Sequence, residues 1–166
     1  KTPSGTNGLD IQSDNNIIRG LQILSFPGCG MVIYGANNII GGDRRVGSGP
    51  MGQGNLISGN AQQGINFFSS ANANTIIGNY IGTTVDGMAS FGNGYAGIFV
   101  GAFNNTIRNN LISSNGWGGI SIQDEGSSYN TIIGNLIGTD ATGRAALPNA
   151  GIGIISGNHN GGGRNR

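Results

Sequence analysis

Apolar residues fall along this chain in short alternating pieces, not in helical stripes. The pattern Gly-apolar-x-apolar recurs six times, as Gly8-Leu9-Asp10-Ile11, Gly30-Met31-Val32-Ile33, Gly64-Ile65-Asn66-Phe67, Gly97-Ile98-Phe99-Val100, Gly119-Ile120-Ser121-Ile122 and Gly151-Ile152-Gly153-Ile154. Successive copies begin 22, 34, 33, 22 and 32 residues apart, which reads as a 22-residue unit lengthened by 10 to 12 residues three times. Each unit holds a second block, Asn16-Ile17-Ile18, Asn38-Ile39-Ile40, Asn74-Thr75-Ile76, Asn105-Thr106-Ile107 and Asn130-Thr131-Ile132. A third follows, Asn55-Leu56-Ile57, Asn79-Tyr80-Ile81, Asn110-Leu111-Ile112 and Asn135-Leu136-Ile137, with Leu21-Gln22-Ile23 breaking it in the first unit.

Apolar-x-apolar puts two side chains on one face of a strand. Pieces this short gain most by pairing with their equivalents one unit away, so the repeat predicts coils stacked about 4.8 Å apart. Three parallel sheets then enclose one interior, and like residues form columns. One column runs Leu9, Met31, Ile65, Ile98, Ile120 and Ile152; another Ile18, Ile40, Ile76, Ile107 and Ile132; a third Ile23, Ile57, Ile81, Ile112 and Ile137. Asn suits the corners, because it tolerates left-handed backbone and its stacked amides can bond along the column. Such a ladder is expected through Asn55, Asn79, Asn110 and Asn135. No segment keeps a 3.6-residue period, and frequent Gly opposes a helix by roughly 1 kcal/mol each. A β-sandwich would need longer strands and hairpin turns. The expectation is an all-β, right-handed parallel β-helix of about five to six coils.

Composition sharpens this picture. The 34 glycines and only 9% charged residues would suit a disordered chain, but the regular β-branched residues do not. A single domain over residues 1–166 is expected, with coils over about 7–157 and polar, Gly-rich segments at 1–6 and 158–166. The start at Lys1 suggests a mature or excised piece. Net charge is +1, and no basic stripe with interleaved aromatics signals nucleic acid. No apolar run has the length of a membrane span. Cys29 is the sole cysteine, so no internal disulfide and no metal-ligand spacing is expected.

The phrase Asn74-Thr75-Ile76-Ile77-Gly78-Asn79-Tyr80-Ile81-Gly82-Thr83 returns as Asn130-Thr131-Ile132-Ile133-Gly134-Asn135-Leu136-Ile137-Gly138-Thr139. Each copy precedes a similar extension, Thr84-Val85-Asp86-Gly87 and Asp140-Ala141-Thr142-Gly143. Over about residues 7–157 this resembles the parallel β-helix repeats of secreted or surface-anchored bacterial and archaeal proteins in the pectin-lyase-like superfamily. The resemblance implies the fold and an extracellular setting. It does not choose among lyases, hydrolases, epimerases, adhesins, tailspikes and stalks.

Enzymes of that superfamily gather carboxylates on one outer sheet. Here the seven acids are Asp10, Asp14, Asp43, Asp86, Asp124, Glu125 and Asp140, with no paired Asp-Asp motif. Asp124-Glu125 reads as a solvated turn. Asp86 and Asp140 fall two positions out of register. Their loops carry one acid each, too few for tight calcium binding. His159 lies in the tail outside the coils, and Arg19 and Arg108 share an outward column three coils apart. No catalytic residue, metal or cofactor is therefore expected. Tyr80, Tyr95, Trp117 and Tyr129 are the candidate sugar-stacking residues. Asn104-Asn105-Thr106 fits a glycosylation acceptor.

The outward column Gln22, Leu56, Tyr80, Leu111 and Leu136 would be an exposed greasy stripe unless insertions around 41–54, 82–95 and 138–150 fold over it. Neither terminus resembles a cap, so both terminal coils should expose unpaired backbone. The chain thus reads as a non-catalytic extracellular structural module: a stalk, filament subunit or adhesin segment. Its expected partners are further copies of itself, head to tail and laterally, or a flanking β-helix of a longer chain, with polysaccharide as a further partner. The alternatives are a polysaccharide-active enzyme domain and a carbohydrate-binding β-helix.

Overall fold

In the computed structural model, residues 5–123 and 126–157 are described. The first coil contains β1 (Leu9–Ile11), β2 (Ile17–Ile18) and β3 (Gln22–Leu24). The second contains β4 (Met31–Ile33), β5 (Ile39–Gly41) and β6 (Leu56–Ser58). The third contains β7 (Ile65–Phe67), β8 (Thr75–Ile77) and β9 (Tyr80–Ile81). The fourth contains β10 (Ala96–Val100), β11 (Thr106–Arg108) and β12 (Leu111–Ile112). The fifth contains β13 (Gly118–Ile122), β14 (Thr131–Ile133) and β15 (Leu136–Ile137), and β16 (Ile152–Ser156) opens a sixth. The strands stack in coil order into one six-stranded and two five-stranded sheets, called A, B and C here. All the strand pairs are parallel. The chain is a parallel β-helix.

The predicted columns are the observed registers. Ile76 pairs with Ile107, and Ile107 with Ile132. Ile23, Ile57, Ile81, Ile112 and Ile137 align in sheet C. One column needs correction at its end: Ile120 faces Ile154, and Ile152 faces Gly118. Gly151 completes the Gly-apolar-x-apolar motif and Gly153 does not, yet packing selects Gly153. Gly8, Gly30, Gly64, Gly97 and Gly119 each sit against a sheet C isoleucine and a carbonyl of the next coil, at distances that exclude a Cβ. At Gly64 that Cβ would lie 2.6 Å from the Gly97 oxygen and 2.7 Å from Ile81 Cγ2. In the last coil Gly153 faces Ile137 and Gly151 does not.

The ladder through Asn55, Asn79, Asn110 and Asn135 is present. Asn79 Oδ1 accepts both the backbone N–H (3.0 Å) and the side-chain Nδ2 (2.9 Å) of Asn55. Asn79 in turn donates the same pair to Asn110, and Asn110 to Asn135. Two more ladders occupy the other corners. Asn60, Asn93, Asn115 and Asn149 form one with the same double bonds. Asn16, Asn38, Asn74, Asn105 and Asn130 form the other through backbone N–H to Oδ1 bonds. In all three, donors point toward the later coil. In the first coil Leu21 and Phe26 stand at two corners and offer only a backbone N–H, to Asn55 and Asn60.

The residue before a ladder Asn commonly turns left-handed. Asn15, Asn37, Ala73, Asn104 and Tyr129 do so before the sheet B ladder, with φ of 56–60°. Asn and Gly adopt this readily; Ala73 and Tyr129 do so against the preference of a Cβ.

The insertions cover the outward apolar stripe. Leu56 and Leu111 are buried and Tyr80 half-buried, while Gln22 and Leu136 at the two ends stay exposed. Arg44 of the first insertion lies over the Tyr80 ring at 4.4 Å. Gly87 of the second packs so closely on Tyr80, Leu111 and Ala141 that no Cβ fits, and Ala141 N–H donates to its carbonyl. The second and third insertions thus meet over the coil that has none. Two serines anchor them: Ser58 Oγ donates to the Thr83 carbonyl (2.9 Å), and Ser113 Oγ to that of Thr139 (2.7 Å).

Candidate functional site

Among the candidate aromatics, the fold brings two together. Ala96 of β10 pairs with Gly118 of β13, so Tyr95 and Trp117 fall in equivalent places on successive coils. The Trp117 N–H donates to the Tyr95 carbonyl at 3.2 Å. Both side chains stay well exposed, at 55% and 44%. Alternation turns Phe99 outward from β10, between the inward Ile98 and Val100. With Gln63, Ala96 and Gln123 these rings line a groove of about 240 Å³. Gln63 Oε1 accepts the Cys29 thiol at 3.3 Å. A second groove of about 250 Å³ continues past Phe99 to Asn66, Phe68 and Ser69. There Phe68 stacks on Tyr34 with ring centroids 4.5 Å apart.

The other two aromatics lie elsewhere. Tyr80 is on sheet C beneath Arg44. Tyr129 is exposed at the corner leading into β14. Phe99, Gln63 and Gln123 were not singled out in the sequence. The signal for Phe99 was present, since it occupies the outward x of Gly97-Ile98-Phe99-Val100. The glutamines sit outside any repeated phrase.

Every described carboxylate is engaged in a local bond. Asp10 accepts from Asn7 (2.9 Å) and Asp14 from the Ala36 N–H (2.7 Å). Asp43 pairs with Arg45 at 2.8 Å, and that hydrogen bond lowers its pKa to about 2. Asp86 accepts from the Thr84 hydroxyl and the Met88 N–H. Asp140 accepts from the Thr142 hydroxyl and from the N–H groups of Thr142, Arg144 and Ala145. The threonine hydroxyl is the chief cause holding both Asp86 and Asp140 below the usual carboxylate range. Their two-residue offset has a simple origin: Thr84 and Asp140 hold one position of the loop, Asp86 and Thr142 the other, so acid and hydroxyl exchange places across the same bond. Asp124, Glu125 and His159 lie outside the described residues. Cys29 is buried, and burial pushes its thiol up, away from a reactive thiolate. Among the described residues no group of three His, Cys, Asp or Glu could hold a metal.

The described residues that line the Tyr95–Trp117 groove carry no charge. Aromatic faces accept the C–H face of a sugar ring or another ring, and side-chain amides bond to hydroxyls on its rim. No acid or base lines it among the described residues. A scan against protein-family models finds no match to this chain. Comparison with curated proteins finds no match either. Comparison with solved structures likewise finds none.

Proposed function

We propose that this chain is a non-catalytic structural module of an extracellular assembly, a stalk, filament or adhesin segment that associates end to end. One observation carries the reading: each terminal strand of the described solenoid has a strand neighbour on one side only, and the interior is less covered there than in the middle coils. At one end Ile152 and Ile154 of β16 are 54% and 45% exposed, whereas Ile65, Ile98 and Ile120 of the same sheet are at most 1% exposed. At the other end the inward Leu9 and Ile18 are half-buried, whereas their counterparts Met31 and Ile40 in the next coil are fully buried. A strand edge that meets no further strand is a template for another chain. Heterologous contacts of one end with the other give rods when they do not close. The local engagement of the five described carboxylates weighs against the enzyme alternative. The resemblance to secreted and surface β-helix repeats supports the extracellular setting.

A second reading rests on the Tyr95–Trp117 groove: the module also holds a neutral sugar of a polysaccharide on its outer face. Both readings agree on a scaffold whose work is contact.

Sedimentation and negative-stain imaging of the full chain test the first reading. Wild-type protein should form rods whose length grows with concentration. Ile152→Lys and Ile154→Lys put a charge on the open edge and should leave compact monomers with unchanged circular dichroism. A wild-type chain that stays monomeric at millimolar concentration would end the proposal.

A further inference from the structure

The basic residues of this chain are few, yet three of them share one groove. Gly42, Asp43, Arg44, Arg45, Ile77, Gly78, Arg108 and Asn109 enclose about 250 Å³ where sheet B turns toward sheet C. Three arginines and one aspartate give this groove a net +2, against +1 for the whole chain. Asp43 is already committed to Arg45 through its side-chain and backbone N–H groups. Arg44 and Arg108 are left without a carboxylate. Arg44 makes one long bond, Nη1 to the Asn109 carbonyl at 3.5 Å, while its guanidinium lies over Tyr80. Arg108 is exposed, and its guanidinium makes no hydrogen bond or ion pair among the described residues.

The two reach the groove from different directions. Arg108 ends β11 and pairs in register with Ile77, which pairs with Gly41. Arg44 comes from the insertion above and spans the third coil to reach the fourth. The gap between Arg19 and Arg108 in their outward column is therefore filled by an arginine from outside the repeat. Arg19 itself is tied by Nε to the Gly41 carbonyl at 3.0 Å. Gly42 and Gly78 are glycines for packing reasons, since a Cβ on Gly78 would strike the Gly42 carbonyl. Their side effect is a floor with no side chains in the way.

From this arrangement we infer that the Arg44–Arg108 groove binds a tetrahedral oxyanion, a sulfate or phosphate group. A flat carboxylate presents two oxygens in one plane and is satisfied by a single guanidinium fork. A tetrahedral group presents oxygens in several directions, which suits guanidinium groups arriving from separate elements. The anion is either the free ion or a monoester carried on a larger molecule.

Amide chemical shifts of the full chain, followed at constant ionic strength, test this. Inorganic sulfate and inorganic phosphate should move the Gly42, Gly78 and Asn109 signals saturably, and acetate should do so at least about tenfold more weakly. Arg108→Ser should weaken sulfate binding about tenfold or more without altering the remaining spectrum, because that side chain holds nothing in the fold. Arg108→Lys should restore only part of it. Tighter binding of glucose 6-phosphate or glucose 6-sulfate than of the free ions identifies an esterified ligand; equal binding identifies the free ion. Equal responses to acetate and sulfate, no saturable shift with any of these anions, or an unchanged response in Arg108→Ser would each overturn the inference.

Discussion

The side chain of a single ladder asparagine bonds to four other residues. Asn79 Oδ1 takes two bonds from Asn55, while its Nδ2 donates to Asn110 Oδ1 and to the carbonyls of Ile40 and Ile77. Asn79 is fully buried, and an unsatisfied buried polar group costs about 1–3 kcal/mol. Asn79→Ala should therefore lower unfolding stability by about 3 kcal/mol or more, measured by chemical denaturation. Asn79→Asp keeps the acceptor but turns the donor into a carboxylate oxygen facing other oxygens. That disfavours the charged form in the folded state. Its folded pKa rises above the unfolded value, so the defect should be worst at neutral pH and shrink as the solution is acidified. An Asp variant as stable as wild type at pH 7 would show that the amide hydrogen is dispensable.

At the scale of strands and turns, the glycine preceding each sheet A strand is set by what lies beneath it. Gly64 has no room for a methyl group, whereas the nearest atom to a Cβ on Gly153 is Ile137 Cγ2 at an ordinary 3.7 Å. Gly64→Ala should cost several times more stability than Gly153→Ala, compared by thermal unfolding under the same conditions. Equal costs would mean that the two glycines serve only chain flexibility. This same contact explains what the amino-acid pattern could and could not say. The Ile76, Ile107 and Ile132 column was legible because identical words recur around it. The slip from Ile152 to Ile154 was not, because Gly151 completes the motif whereas Gly153, followed by Ile154, Ile155 and Ser156, does not, and only the packing on Ile137 selects Gly153. The Asn60, Asn93, Asn115 and Asn149 ladder escaped notice for a related reason. Its members are flanked by Gly59, Gly92, Ser114 and Pro148, with no shared apolar tag, and insertions separate two of the three steps. Tyr95 and Trp117 were visible as loop aromatics, but their pairing needed the Ala96–Gly118 register. Arg44 belongs to an insertion without a repeat counterpart, so no periodicity pointed to its place beside Arg108.

Across the whole molecule, strand pairing links only neighbouring coils, with the insertions alone reaching further, and stability is then largely a sum of local terms. The coils at the middle have a neighbour on each side; those at the ends have one. Ile132 and Ile137 near the end of the described chain are half-buried, while their counterparts Ile76, Ile107, Ile81 and Ile112 are fully buried. Native-state hydrogen exchange of the dispersed chain should show the highest protection in β8–β12, falling toward β16 and β1. Uniform protection would point to all-or-none opening instead. In associated material the protection of β16 should rise toward that of β10.

The direction shared by the three asparagine columns makes the two tips chemically unlike. Asn135 and Asn149 stand at the trailing tip, while the leading tip carries Asn16 at one corner and Leu21 and Phe26 at the other two. An arriving copy therefore meets amide oxygen at one corner only, and must gain the rest of its attraction from backbone edges and exposed isoleucine. A fibre grown from such subunits would have a vectorial axis, and the two poles would lengthen at different speeds.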